Sequence, residues 1–177
     1  MVEALVLASP LPGLPVAHDG VTMAAAPMLA RFSLRARVAE GMPAKVLSTA
    51  PYAGGSALCL GPDEWLLLLP DGSPAPGIVG IHALTDIGHR NVGIALAGPN
   101  AAKLLQTGCA LELTSAAFPV GKATRTLYET VEIVLWRVSQ DQFHIEVWRS
   151  FASYLWSALD LAAGDMMMPG QVHHAVG

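Results

Sequence analysis

The residues able to do chemistry in this chain are few, and their spacing argues against most of the reactions they suggest. Asp86 and His89 stand three apart, which would put two metal ligands on one face only of a helix. Their neighbours read as strand or turn, where Asp86 would bond nearby backbone amides and His89 would sit at the surface. His173 and His174 adjoin each other in a terminal stretch with nothing periodic to hold them. Gly121-Lys122-Ala123-Thr124 has the ending of a phosphate-binding loop, but the glycine needed five residues before the Gly-Lys pair is Ala116 and the last position is displaced. There is no G-x-S-x-G elbow, no C-x-x-C pair, and no G-x-G-x-x-G after a strand. No catalytic, cofactor-binding or metal-ligating residue is therefore expected.

Arginine and tryptophan carry the remaining possibilities. Arg125, Arg137 and Arg149 could clamp a carboxylate such as a folate tail, because guanidinium binds carboxylates in bidentate fashion; the alternative is ion pairing between subunits. Trp136, Trp148 and Trp156 could stack on a pterin, or could anchor a core or an interface. The candidate partner interface is accordingly Trp65, Arg125, Trp136, Arg137, Trp148 and Arg149.

Composition favours a covered molecule. Hydrophobic residues make up 53% of the 177 and charged residues only 14%, against about 25% charged in ordinary soluble domains. A membrane span needs about 20 uninterrupted apolar residues, and the densest run, Trp65 to Leu69, stops at Pro70. A subunit that hides surface against partners accounts for the shortage of charge better. The net charge of -4, with ten Lys and Arg, argues against a nucleic-acid partner. Cys59 and Cys109 read as reduced packing residues, and the N-terminal stretch carries Glu3 and several prolines where a secretory signal would carry positive charge, so a cytoplasmic location is expected.

The elements that would position these residues follow from periodicity. Residues 1–30, interrupted by Pro10, Pro12, Pro15 and Pro27, are expected to form an irregular arm. Phe32, Leu34 and Ala36 alternate with polar residues as a strand does, and Lys45 to Ser48 suggests another. Ala57–Leu60 and Glu64–Leu69 form a hairpin about Gly61-Pro62-Asp63, with Trp65 as its anchor. Residues 71–80 are a Gly/Pro loop, and 82–96 are extended. At Gly98-Pro99-Asn100 the period changes: Ala101, Leu104, Leu105 and Gly108 have helical spacing, and Gly108 could supply a left-handed stop. Thr124–Tyr128 reads as a strand, and Val131–Val138 with Phe143–Trp148 as a hairpin. A helix then runs from Ser150 as N-cap to Gly164, with Phe151, Tyr154, Leu155, Ala158, Leu159 and Ala162 on its apolar face. The expected class is α+β: antiparallel sheets in two similar subdomains, 31–110 and 111–163, each braced by one helix, with 164–177 as a flexible tail.

Four segments in order, LGPDEWLLL (Leu60–Leu68), TDIGHRNVGIALAGPNAAKLL (Thr85–Leu105), FPVGKATRT (Phe118–Thr126) and FHIEVWRSFASYLW (Phe143–Trp156), resemble the gamma subunit of heterotetrameric sarcosine oxidase. The resemblance spans Phe32 to Ala163. It implies a fold similar to the folate-binding domain of the glycine-cleavage aminomethyltransferase. It also implies a non-catalytic subunit of an assembly that oxidises sarcosine to glycine, forms peroxide, and passes the one-carbon unit to tetrahydrofolate. By the same resemblance this chain binds no cofactor, the FAD, FMN, NAD and tetrahydrofolate of the complex lie on other subunits, and the chain packs most directly against alpha, with beta and delta in the assembly. Two alternatives are a stand-alone folate-binding or aminomethyltransferase-like one-carbon protein, and a structural homo-oligomer.

Overall fold

The fold is that of a computed structural model, which describes residues 9–37 and 40–166. The chain runs β1 (Val16–His18), β2 (Val21–Ala25), β3 (Leu29–Ala36), β4 (Ser48–Tyr52), β5 (Gly55–Gly61), β6 (Glu64–Pro70), β7 (His82–Asp86), β8 (Asn91–Ala97), α1 (Ala101–Gln106), β9 (Ala123–Tyr128), β10 (Val131–Ser139), β11 (Gln142–Trp148) and α2 (Arg149–Asp165). Two antiparallel sheets result: six strands in the order β1-β2-β8-β11-β10-β9, and five in the order β4-β5-β6-β3-β7. The five-stranded sheet is inserted between β2 and β8, which pair with each other from Thr22↔Ala97 to Ala25↔Ile94.

Strand alternation sorts side chains onto opposite faces, and here the six-stranded sheet is covered on both. Phe143, Ile145 and Val147 of β11, with Ile133 and Leu135 of β10, pack on one face with the helices. The opposite face meets the second sheet, where Val134 joins Leu58, Leu66 and Leu68. The far side of the five-stranded sheet buries Phe32, Leu34, Trp65, Leu67 and Leu69. Met42 and Ile78, from irregular segments, pack on this outer core, and the Trp65 indole Nε1 donates to the Pro43 carbonyl at 2.9 Å.

Several expectations need correction. Residues 1–30 are not wholly irregular: β1 and β2 lie within them, and Leu11 joins the core while the Ser153 hydroxyl of α2 donates to the Pro10 carbonyl. Prolines exclude helix there, but the Pro-free run Val21–Ala25 completes a sheet with a distant partner strand. The sequential division at 110 also fails, because β8 and α1 belong to the same sheet as β9–β11. Both helices brace that one sheet, and the second sheet is covered by irregular segments instead. The strand expected at 45–48 begins at Ser48.

The long helix is rotated and displaced relative to the expectation. Trp148, not Ser150, is its N-cap residue, and the helix continues through Gly164 to Asp165. Its buried face is Ala152, Leu155, Trp156, Leu159 and Ala163, leaving Phe151 and Tyr154 outside. Trp156, the largest side chain at this position in the turn, wins the place against the sheet; burying each large member contributes about 1.5–3 kcal/mol before entropy. Gly108 does not end α1 in a left-handed conformation. Its lack of a side chain admits the Tyr128 ring, which an added Cβ would meet at 2.7 Å, while Thr107 and Tyr128 share a 2.9 Å hydroxyl contact. The tail expected to fray beyond Met168 lies outside the described residues.

Gly98 is the pivot between β8 and α1. Its φ is 127°, and a Cβ there would strike the Gly20 carbonyl in the turn between β1 and β2. Gly98→Ala should lower stability by about 1–3 kcal/mol, read as a lower urea midpoint; an unchanged midpoint would show that the turn relaxes freely.

Candidate functional site

The polar residues that matter most lie between the sheets. Glu146 on β11 is 1% exposed and Arg31 on β3 is 3% exposed. The Arg31 Nε donates to Glu146 Oε2 at 2.7 Å, and its Nη1 donates to the Leu29 carbonyl at 3.0 Å. His144, two residues before Glu146 and so on the same face of the strand, places Nε2 2.7 Å from Glu146 Oε1. Gly93, opposite Glu146 in β8, leaves room for this cluster, since an added Cβ would lie 2.9 Å from His144 and 3.1 Å from Glu146. Burial by itself would raise the Glu146 pKa, but the His144 hydrogen bond and the charges of His144 and Arg31 outweigh it and hold the carboxyl below its ordinary value of 4.5.

A second ionic cluster stands nearer the edge. Arg125 Nη2 reaches Glu64 Oε1 at 2.5 Å and Nη1 reaches Oε2 at 3.3 Å, while Arg35 lies 3.1 Å from the same carboxylate. Arg125 also approaches Glu132 at 3.5 Å. Of these, Arg125–Glu64 joins β9 of one sheet to β6 of the other; both arginines are about half exposed, so each pair contributes modestly.

The structure separates the residues read as a partner interface. Arg137 is buried, donates to the carbonyls of Leu113, Phe118 and Gln140, and lies over the Phe143 ring at 5.1 Å. Trp65 is buried as well. Neither is available to a second chain: both tie irregular segments to their own sheet. Arg125 makes its ion pairs within the chain. Trp136 packs on His144, their ring centroids 6.0 Å apart; its buried Nε1 has no partner among the described residues, and nothing in the structure accounts for that. Trp148 and Arg149 remain accessible, with Arg90 4.4 Å from the centre of the Trp148 ring.

The other motifs resolve into local structure. Asp86 Oδ1 accepts from the Gly88 amide at 2.8 Å. Lys122 Nζ donates to the Ala117 carbonyl at 2.8 Å and sits over Phe118, away from any phosphate-like cradle. His173 and His174 lie outside the described residues, and among the described residues no group of three or more His, Cys, Asp or Glu could hold a metal ion. Cys59 and Cys109 are free and buried, and burial pushes the Cys109 thiol up to about 11. Among the described residues no helix is long and apolar enough to cross a membrane.

Two features escaped the sequence. A cavity of about 180 Å³ lies between the sheets, lined by Ser33, Thr85, Arg90, Asn91 and Glu146 among others. Asn91 is buried with its Oδ1 unpartnered, a situation that costs about 1–3 kcal/mol if nothing answers it. The other is the outward side of α2, where Phe151, Tyr154 and Leu161 are 47%, 52% and 68% exposed, next to Trp148 at 41%. Leu14, Val79 and Ile81 are exposed too, but on irregular segments. The His144-Ile145-Glu146 alternation in an apolar strand was the one visible sign of the buried cluster.

Arg31→Met should destabilise the chain by about 3–5 kcal/mol in thermal or chemical unfolding, because it removes the guanidinium from the buried Glu146 carboxylate; adding Glu146→Leu to it should restore part of the loss. Glu146 has a folded pKa below its unfolded one, so its contribution is present above about 4.5 and disappears as the pH falls through the lower folded value. The stability gap between wild type and Glu146→Gln should therefore narrow on acidification, and a gap independent of pH would contradict the ionised assignment. Ellman's reagent should label neither cysteine in the native chain and both in denaturant.

Residues 23–165 match the model of the sarcosine oxidase, gamma subunit family. Curated relatives include sarcosine oxidase subunit gamma of an Arthrobacter species, 31% identical over 64% of this chain and 59% of the relative. The same subunit of Corynebacterium sp. strain P-1 is 30% identical over 69% of this chain and 64% of the relative. The aligned region thus spans about three-fifths of those relatives' length. Among solved structures, a chain of heterotetrameric sarcosine oxidase from Corynebacterium sp. U-96 superposes with a TM-score of 0.73 at 22% identity, covering 88% of this chain and 89% of that one. Glycine cleavage system aminomethyltransferase T from Bartonella henselae superposes with a TM-score of 0.61 at 14% identity, over 82% of this chain and 49% of that one. Both share the fold of two antiparallel sheets with few helices. The chain belongs to the sarcosine oxidase gamma subunit family.

Proposed function

We propose that this chain is the non-catalytic gamma subunit of a cytoplasmic heterotetrameric sarcosine oxidase, and that it stabilises the larger subunits that carry the chemistry. The observation that carries this reading is the family match over residues 23–165. In the proposed assembly, sarcosine loses its methyl group by oxidation, oxygen is reduced to peroxide, and the one-carbon unit passes to tetrahydrofolate. FAD, FMN, NAD and tetrahydrofolate are assigned to other subunits, with alpha as the direct neighbour and beta and delta completing the complex.

The surface supports a scaffolding role. Phe151, Tyr154 and Leu161 form a stripe on the solvent side of α2, with Trp148 exposed at the end of the strand that leads into it, while the helix's other face is used against the sheet. A contiguous apolar patch on a regular element marks a protein contact. We assign this stripe to the companion subunit.

Folate is a poor fit to the cavity between the sheets. The inter-sheet cavity of about 180 Å³ is smaller than the roughly 300–1,000 Å³ of pockets for drug-sized ligands. Trp65 is sealed, and Trp136 already faces His144. The fold shared with aminomethyltransferase T therefore speaks to architecture rather than to ligand.

Co-expression with the companion subunits tests the proposal. The wild-type chain should co-elute with them, and its omission should reduce sarcosine-dependent peroxide formation. Phe151→Asp combined with Leu161→Asp should lower co-purification at least tenfold, about 1.4 kcal/mol, with an unchanged melting temperature of the isolated chain. Absence of any complex, or full peroxide production without this chain, would refute it. A saturable tryptophan response of the isolated chain to tetrahydrofolate would favour the stand-alone folate-binding alternative.

A further inference from the structure

We propose that the cavity between the two sheets binds a small hydroxycarboxylate. The inference does not depend on the subunit role above, because every group it uses belongs to this chain.

Charge selects an anion. The cavity is lined by Glu64, Glu132 and Glu146, and each of these carboxylates already has a cation. Glu64 is held by Arg125 and Arg35, Glu132 approaches Arg125, and Glu146 is held by Arg31. Arg90 also lines the cavity, and its contact in the structure is with the face of the Trp148 ring. Arg125 is spent on Glu64 and Glu132, whereas Arg90 meets no carboxylate among the described residues. A carboxylate would supply the partner Arg90 lacks, since a guanidinium resting on an aromatic face can still present its N–H edge.

Hydrogen bonding selects a donor on the same molecule. Asn91, next in sequence to Arg90, is 7% exposed and lines the cavity, and its Oδ1 has no partner among the described residues. A carboxylate has no proton to offer this oxygen, whereas a hydroxyl on the same molecule does. Ser33 and Thr85 face each other across β3 and β7 and add two hydroxyls to the lining. The volume of about 180 Å³ suits a few heavy atoms rather than an extended ligand. Trp148 also borders it, so occupancy has an optical reporter.

The experiment is titration of the full chain with glycolate, followed by tryptophan fluorescence and calorimetry, with acetate and glycine as comparisons. Glycolate should bind saturably, and acetate, which lacks the donor, should bind roughly tenfold more weakly. Glycine, with no net charge, should also bind more weakly than glycolate. Arg90→Gln, a change at an exposed side chain, should weaken glycolate at least tenfold while leaving the melting temperature unchanged. No saturable response to glycolate would mean that the cavity holds water alone and would overturn the proposal. Equal binding of acetate or glycine, or unaltered binding by the Arg90 variant, would overturn it too.

Discussion

The pairing of Arg31 with Glu146 is the constraint around which the two sheets are arranged. Neither charge can be left alone away from water, and they come from strands 115 residues apart in the chain. Their contact therefore fixes how the five-stranded sheet sits on the six-stranded one. His144 takes the second carboxylate oxygen, and Gly93 keeps the neighbouring strand clear of the cluster. Such a pair adds little net stability compared with an apolar replacement, but it penalises every arrangement in which one partner is missing. In a chain whose cores are otherwise built from interchangeable Leu, Ile and Val, that penalty is a source of register.

What could be read from the sequence was local. The hairpins at 57–69 and 131–148 and the helix after Gly98-Pro99-Asn100 declare themselves through periodicity and turn residues. What could not be read depends on contacts between distant segments. Val21–Ala25 is Ala-rich and weak as a strand in isolation, and it is one because Met23 and Leu96 stand opposite each other. The apolar face of α2 could be drawn through Phe151 and Tyr154 or through Ala152 and Trp156, and only the sheet beneath decides. Arg137 resembles a surface cation in sequence, yet its guanidinium is spent on the carbonyls of two irregular segments. The same limit applies to the cavity: Asn91 is an unremarkable strand residue until burial leaves its amide oxygen without a partner.

The functional reading follows from what the interior uses up and what the surface leaves over. The buried polar groups are largely engaged in holding sheets and loops together, and both cysteines are packing residues. Phe151 and Leu161 are left over by the fold, because α2 packs through its other side, while Tyr154 donates to Glu129 and the exposed Trp148 ring carries Arg90. In a member of the sarcosine oxidase gamma subunit family, the scaffolding role we propose would account for both this surplus and the scarcity of charge in the chain.

Hydrogen–deuterium exchange on this chain, alone and within an assembly reconstituted with the companion subunits, tests that claim most directly. The account predicts slower exchange through Trp148–Asp165 in the assembly, with the inter-sheet strands equally protected in both states. Unchanged exchange along α2, or protection confined to the opposite face of the five-stranded sheet, would contradict it.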